Sequence, residues 1–187
     1  GIPDGRLVSP DVWGDYAWPV KAGGALYAYR ATFDEPPAIV RIEPETGEET
    51  VVLKAALFDG TSFTLNDAAD RLVFASYLLD GTHPSGGELT ADLYAFGLPD
   101  GRVKRLTENA HLFQPALSPD GSRLVAVRRE GSYHVLVEVD QRDGSWRPIF
   151  TREQVSIANP VFSPDGTRIA FTMNARGMQD VWILELP

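Results

Sequence analysis

Pro115-Ala-Leu-Ser-Pro-Asp-Gly-Ser-Arg-Leu-Val-Ala-Val127 recurs 45 residues later as Pro160-Val-Phe-Ser-Pro-Asp-Gly-Thr-Arg-Ile-Ala-Phe-Thr172. A degenerate copy at 63–75 keeps the same spacing of apolar residues, and a shorter copy occupies 18–29. Self-similarity with a period of about 40–50 residues is typical of repeat architectures. We therefore predict four units at approximately 9–53, 54–107, 108–151 and 152–187, with 1–8 as a closing or preceding outer strand.

Each unit has the pattern of four short β-strands joined by tight turns. The third strands, such as 38–42 and 181–184, are rich in the β-branched and aromatic residues that favour a pleated sheet. Turns such as Pro99-Asp-Gly101 supply residues suited to a bend and to positive φ. A β-sandwich also has short strands, but it gives no reason for one hairpin to recur at constant register. The predicted fold class is an all-β propeller of four blade units, each with four antiparallel strands.

The two ends of the chain resemble complementary parts of one blade. Residues 2–8, Ile-Pro-Asp-Gly-Arg-Leu-Val, are similar to the turn and outer strand at 98–103, and the chain stops after a third strand. The N-terminal strand is expected either to close a four-bladed ring or to belong to a preceding blade of a larger propeller, with about six to eight blades. The sequence is compatible with both alternatives.

The composition excludes several classes of partner. The chain has 17 Lys and Arg against 26 Asp and Glu, a formal net charge of −9, and its basic residues are scattered. Nucleic acid is therefore not an expected partner, since it requires clustered positive charge. No apolar run approaches the roughly 18 residues of a membrane span. The absence of cysteine removes disulfides, thiolate metal sites and a cysteine nucleophile.

Patterns for catalysis, metals and cofactors are not found, and the sequence predicts none of the three. No Gly-x-Ser-x-Gly elbow or phosphate-cradling glycine motif occurs. The three histidines, His83, His111 and His134, lack the spacing of a metal site. The repeated Asp-Gly pairs are predicted to be structural turns, in which Asp caps the bend and Gly takes the left-handed position. These turn residues are Asp120, Gly121, Asp165 and Gly166.

Three arginines, Arg71, Arg123 and Arg168, occupy the same phase of successive repeats. Guanidinium groups form charge-assisted hydrogen bonds with carboxylates and amide oxygens. We therefore predict that these arginines brace neighbouring blades or turns rather than bind a ligand.

The repeated Pro-x-x-Ser-Pro-Asp-Gly-x-Arg string resembles the propeller repeat of TolB and TolB-like periplasmic and secreted proteins. It is also similar to the repeats of tricorn and prolyl-oligopeptidase propellers. Residues 105–107, Arg-Leu-Thr, and 180–184 resemble the fourth and third strands of that repeat. The resemblance implies binding of a protein or peptide, or assembly with other subunits, in the bacterial periplasm or outside the cell. The alternatives are a gating propeller of a larger serine peptidase and a propeller enzyme acting on carbohydrate or lactone.

A binding face is predicted where the second strand joins the third and where one blade joins the next. Aromatic residues with Arg favour the energetic centres of interfaces, although Trp18, Phe58 and Phe113 fit equally well as packing between blades. The inserted loop at 79–91 would contribute His83 or Glu88 to such a face, and the acidic chain favours a basic or neutral partner. The candidates are Trp13, Tyr16, Trp18, Phe33, Phe58, His83, His111, Phe113, Arg129 and Arg176.

Overall fold

The computed structural model describes residues 14–57, 62–77 and 90–187. These residues form fifteen β-strands and no helix. The strands make four antiparallel sheets, three with four strands and one with three, and in each sheet neighbouring strands follow one another along the chain. The predicted all-β propeller fold is confirmed. The chain divides into two compact units, Gly1–Ala56 and Leu57–Pro187.

The first unit contains blade 1, a sheet in the order β1-β2-β3-β4. Gly23 and Gly24 both have positive φ, which permits the two-residue hairpin between the first two strands. Alternate residues of β3, Ala38, Val40 and Ile42, are buried in one apolar cluster, since alternate side chains of a strand lie on the same face. The four strands are β1 (Gly14–Ala22), β2 (Ala25–Thr32), β3 (Ala38–Ile42) and β4 (Glu49–Lys54).

The second unit contains blades 2, 3 and 4. Blade 2 consists of β5 (Phe63–Leu65), β6 (Arg71–Ser76), β7 (Asp92–Gly97) and β8 (Val103–Arg105). Blade 3 consists of β9 (Leu112–Leu117), β10 (Leu124–Glu130), β11 (Tyr133–Val139) and β12 (Trp146–Thr151). Blade 4 consists of β13 (Val155–Phe162), β14 (Arg168–Ala175) and β15 (Met178–Glu185). The strand predicted at 1–8, either as the fourth strand of this blade or as the outer strand of a preceding one, lies outside the described residues.

Blades 2, 3 and 4 pack against one another through the apolar faces of their strands. Leu93 of blade 2 and Leu124 of blade 3 belong to one buried cluster. Val127 of blade 3 joins Phe171 of blade 4 in another, where the rings of Phe150 and Phe171 lie 5.1 Å apart. The second strand of blade 3 therefore alternates between two apolar interfaces, which explains why β10 is buried from Leu124 to Val127.

The first strands of blades 1, 3 and 4 share a bulge immediately before a proline. Trp18, Gln114 and Asn159 have φ of 54°, 48° and 55°, and the pairing with the second strand shifts register at each site. Residues before proline ordinarily prefer extended backbone. In the second unit two bulges are joined, because the Asn159 amide donates to Oε1 of Gln114 at 2.8 Å.

The connections of each blade lie at two ends. The turn end carries the turns between first and second strands and between third and fourth strands. The loop end carries the connections between second and third strands and between one blade and the next.

Candidate functional site

The two Ser-Pro-Asp-Gly turns use their carboxylates internally. Oδ1 of Asp120 accepts hydrogen bonds from the Ser118 hydroxyl at 2.5 Å and from the Ser122 amide at 3.0 Å. Asp165 has equivalent hydrogen bonds in its own turn. These bonds, above all those from the serine hydroxyls, lower the pKa of both carboxyls to about 2. The turns are closed by positive φ at Gly121 and Gly166.

Two of the repeated arginines make different connections at the turn end. Nη1 of Arg71, on blade 2, donates to Oε1 of Gln141 on blade 3 at 2.6 Å. The side-chain Nε2 of Gln141 in turn donates to the Gly121 carbonyl oxygen at 3.0 Å. Nε of Arg123 donates to Glu138 of its own blade at 2.8 Å. Arg71 thus links two blades, whereas Arg123 links the β9–β10 turn of blade 3 to β11 of the same blade.

Between these groups lies an open cleft of about 580 Å³. Sequence analysis did not predict it, because Arg71 and Gln141 are 70 positions apart. The side chains of Arg142 and Arg147 are 90% and 67% exposed on its wall. Hydrogen bonds from Arg142 lower the pKa of the Asp140 carboxyl to about 2. The cleft is lined by Arg71, Gly121, Ser122, Arg123, Glu138, Val139, Asp140, Gln141, Arg142, Ser145, Trp146 and Arg147.

A second unpredicted feature is the carboxylate of Asp92, which is 1% exposed at the start of β7. It accepts hydrogen bonds from Arg105 Nη2 at 2.8 Å and from the Thr107 hydroxyl at 3.0 Å. The backbone amides of Asn109 and Ala110 donate to it at 3.0 Å each. Buried charges persist only when they are paired and hydrogen-bonded. Asp92 therefore binds the connection between blades 2 and 3, through hydrogen bonds from residues 107–110, to the third strand of blade 2.

In blade 1 the predicted face residues Tyr16, Trp18 and Phe33 have different environments. The Tyr16 hydroxyl donates to Oε2 of Glu49 at 2.7 Å. Burial, together with this hydrogen bond and the charge of Glu49, raises the pKa of Tyr16 to about 12. Trp18 forms the left-handed bulge of β1. Phe33 is 97% exposed beside a hollow of about 380 Å³, which Asp15 also lines.

In blade 3 the structure brings together three of the predicted residues around the start of β9. The Arg129 amide donates to the His111 carbonyl at 3.1 Å. The ring of Phe113 contacts that of His134 edge to face, with centroids 5.3 Å apart. Arg176 lies apart from them, in the hairpin of blade 4, with φ of 53°. The remaining candidates, Trp13, Phe58 and His83, and Glu88 with them, lie outside the described residues.

No group of three or more His, Cys, Asp or Glu side chains within 14–57, 62–77 and 90–187 has the arrangement of a metal site. In the same residues no helix is long and apolar enough to cross a membrane.

Known proteins resemble this chain both in sequence and in fold. No protein-family model matches the chain. The Tol-Pal system protein TolB of Anaeromyxobacter dehalogenans strain 2CP-C is 32% identical over 79 residues, which are 42% of this chain and 18% of that protein. The crystal structure of TolB from Acinetobacter baumannii superposes with a TM-score of 0.74 at 18% identity. The propeller repeat is TolB-like.

The chain spans less than half the length of the Anaeromyxobacter and Acinetobacter TolB proteins that it resembles. The superposition spans 92% of this chain but 41% of the solved Acinetobacter TolB. Propellers of other proteins share the fold. An oligogalacturonate lyase from Vibrio parahaemolyticus superposes with a TM-score of 0.64 at 18% identity, over 94% of this chain and 51% of the lyase. A puromycin-hydrolyzing peptidase of Mycobacterium tuberculosis superposes with the same TM-score and identity, over 93% of this chain and 29% of the peptidase.

Proposed function

We propose that this chain is a non-enzymatic binding module, a TolB-like propeller that holds a protein or peptide partner at the loop ends of its blades. The observation that carries the proposal is Phe33. Its side chain is 97% exposed, the largest exposed fraction among the described bulky apolar residues. Burial of a phenylalanine side chain from water contributes about 1.5–3 kcal/mol. A ring held in water next to a hollow is therefore a suitable anchor for a partner.

The loop that carries Phe33 is held in one conformation by its own hydrogen bonds. The Glu35 amide donates to the Thr32 hydroxyl at 3.2 Å, and the Glu35 carboxylate pairs with Arg30. Arg30 also pairs with Glu49, which connects the loop to the last strand of the blade. A loop ordered before binding loses less conformational entropy when the partner arrives. Asp34, beside the ring, favours a basic or neutral partner.

The loop ends of the second unit supply polar groups in constrained positions. Asn109, His111, Gln154 and Arg176 all have φ between 52° and 59°, a left-handed conformation that is uncommon outside glycine. Strained residues concentrate at binding and catalytic sites. Asparagine and glutamine amides can both donate to and accept from a peptide backbone. These positions therefore support recognition of an extended polypeptide.

The test is selection of peptide ligands from a phage-displayed library on the immobilised chain, followed by affinity measurements on variants. Phe33→Ala is expected to weaken the selected peptide at least about tenfold, the equivalent of one lost anchor. Val103→Ala is the matched control, since Val103 is an apolar residue of β8 that is 45% exposed away from the loop ends. Equal affinities for Phe33→Ala and the parent, or failure to select any ligand, would contradict the proposal.

A location outside the bacterial cytoplasm is part of the proposal, supported by the likeness to TolB. Fractionation of cells producing the full gene product tests it, and recovery with the cytosol would contradict it. The two enzymatic alternatives, a peptidase-gating propeller and a carbohydrate- or lactone-acting one, rest on likeness of fold, which does not determine function. The mass of the native gene product and an assay of its hydrolase and lyase activity decide between them.

A further inference from the structure

The cleft at the turn end of blades 2 and 3 carries a surplus of positive charge, although the chain as a whole is acidic. Two acidic side chains line it, Glu138 and Asp140, and its other charged residues are the arginines Arg71, Arg123, Arg142 and Arg147. The whole chain has 17 Lys and Arg against 26 Asp and Glu. A cleft in which one sign of charge prevails concentrates ligands of the opposite sign. In an acidic protein such a cleft directs an anion to one place on the surface.

One of these cations lacks a carboxylate partner within the described residues. Nη1 of Arg71 donates to the neutral side-chain oxygen of Gln141 at 2.6 Å, and no described carboxylate pairs with its guanidinium. By contrast, Arg142 and Asp140 form an ion pair at 2.6 Å and neutralise each other. The bond to Gln141 therefore fixes the position of the Arg71 guanidinium and leaves its positive charge uncompensated.

The second surplus charge lies around Glu138, whose single carboxylate serves two arginines. Its Oε1 accepts from Nε of Arg123 at 2.8 Å, and its Oε2 accepts from Nη2 of Arg147. A guanidinium has five N–H donors. Nη1 and Nη2 of Arg123, and Nε and Nη1 of Arg147, donate to no atom of the described residues. The contacts with Glu138 thus leave several donors and one positive charge for a ligand.

The two surplus charges are close enough for one short ligand to reach both. Gln141, which holds Arg71, and Glu138 are three positions apart, and three residues of extended chain span at most about 11 Å. Alternate side chains of an extended peptide lie on one face about 7 Å apart. The cleft volume of about 580 Å³ is within the range of about 300–1,000 Å³ that is typical of ligand sites. Two carboxylates at alternate positions of a peptide therefore match the two charges.

We propose that this cleft binds an extended acidic segment of a partner polypeptide, with one carboxylate on Arg71 and a second, two residues along, on Arg123 and Arg147. Arginine suits this ligand because its planar guanidinium can donate two parallel hydrogen bonds to a carboxylate. Arginine clusters are also a recurring means of recognising acidic motifs. Because the Arg123 side chain is 26% exposed and held by Glu138, it loses little conformational entropy on binding. The site goes beyond the function proposed above, since it lies at the turn end and selects an acidic partner.

The test measures the fluorescence anisotropy of a labelled synthetic peptide, Gly-Ser-Glu-Ala-Glu-Ser-Gly, on titration with the whole chain at low salt. We expect saturable binding, and an affinity at least about tenfold lower when Gln replaces both Glu residues of the peptide, since the charge-assisted hydrogen bonds are then lost. Arg71→Gln and Arg147→Gln should each lower the affinity at least about fivefold. The matched control is Arg102→Gln, which removes an 86% exposed cation outside the cleft at the same turn end and should change affinity less than about twofold.

Peptides with one Glu test whether the cleft holds two carboxylates at separate places. Each such peptide should make one of the two arginine substitutions, Arg71→Gln or Arg147→Gln, lose most of its effect, because that arginine no longer has a charged partner. The Arg147 side chain is 67% exposed, so its replacement removes no buried contact and leaves the fold intact. Full effects of both substitutions with both one-Glu peptides would contradict the two-point arrangement.

Several other results would overturn the proposal. These are absence of saturable binding, equal affinities of the Glu and Gln peptides, and an equal loss of affinity with Arg102→Gln, which would indicate the general field of the surface. Displacement of the peptide by inorganic phosphate at concentrations below the peptide's own dissociation constant also overturns it, because the cleft then takes a free oxyanion. Phe33→Ala should leave the affinity for the acidic peptide unchanged, so failure of this site is distinguishable from failure of the site that Phe33 anchors.

Discussion

Replacement of Asp92 by alanine is expected to destabilise the second unit strongly, since its carboxylate has four hydrogen-bond donors and is 1% exposed. Three donors are neutral, and a hydrogen bond of that kind contributes about 1 kcal/mol. The fourth is the Arg105 guanidinium, for which about 1.5–3 kcal/mol is typical. Because the Arg105 side chain is 25% exposed, water compensates part of its loss. The expected decrease in the free energy of unfolding is about 3–5 kcal/mol.

The assay is urea unfolding followed by tryptophan fluorescence and by circular dichroism, with the free energy extrapolated to water. Asp180→Ala is the matched control, because it removes an exposed aspartate at the same position of blade 4 and should change stability by less than about 0.5 kcal/mol. A loss below about 1 kcal/mol for Asp92→Ala, or equal losses for the two variants, would refute the argument that burial and donor count determine the effect.

Three further outcomes are expected from the same unfolding assay and from titration. Gly144 has φ of 75°, and a Cβ added there would lie 1.9 Å from a backbone oxygen of the β8–β9 connection. Gly144→Ala should therefore lower the free energy of unfolding by at least about 2 kcal/mol, more than Gly101→Ala, whose Cβ meets open space. Equal losses for the two variants would contradict this. Hydrogen bonds lower the pKa of Asp120 and Asp165 from 3.8 to about 2, so the stability they contribute is complete above pH 3.8 and is lost as pH falls towards 2. The double variant with Asn at both positions should show a smaller loss on acidification, and an unchanged acid profile would count against the assignment. The Tyr16 phenol has a pKa raised from 10.0 to about 12, so its contribution to stability is present below pH 10 and is lost as pH rises to 12. Ultraviolet titration should show a phenolate signal near pH 12 that Tyr16→Phe reduces, and an unaltered titration curve would contradict this assignment.

The repeat could be predicted from the sequence because its determinants are local. Proline, aspartate and glycine at successive positions specify a turn without reference to the rest of the chain. Alternating apolar residues on either side of that turn specify two strands. The period and the antiparallel order follow from those two signals. The copies at 18–29 and 63–75 lack the Ser-Pro-Asp-Gly turn, so spacing alone assigns them to the repeat.

Phe33 was a candidate from the sequence, but its degree of exposure, the cleft and the buried Asp92 could not be predicted, because they depend on how distant segments assemble. The cleft requires Arg71 of one blade to meet Gln141 of the next. The exposure of Phe33 is also a tertiary property, because the sequence pattern of an apolar residue in a loop fits both packing and binding. The left-handed bulge at Gln114 opposes the local preference of a residue before proline, and it pairs with Asn159 of another blade. Each of these features arises only when blades or loops are assembled.

Asp92 and Asp180 show how one local sequence can have two environments. Asp92 is the first residue of β7 and Asp180 the third residue of β15, and each lies opposite the sixth residue of the preceding strand. Both precede an aliphatic residue and an aromatic one. In blade 2 the following strand, loop and blade supply four donors and an apolar cover, so Asp92 stabilises the fold. In blade 4 the same carboxylate is exposed beside Val181. The difference lies in what surrounds the carboxylate, because protein groups must supply the donors for the buried Asp92, whereas water can hydrate the exposed Asp180. One local sequence therefore stabilises the fold only where the assembled blades bury it.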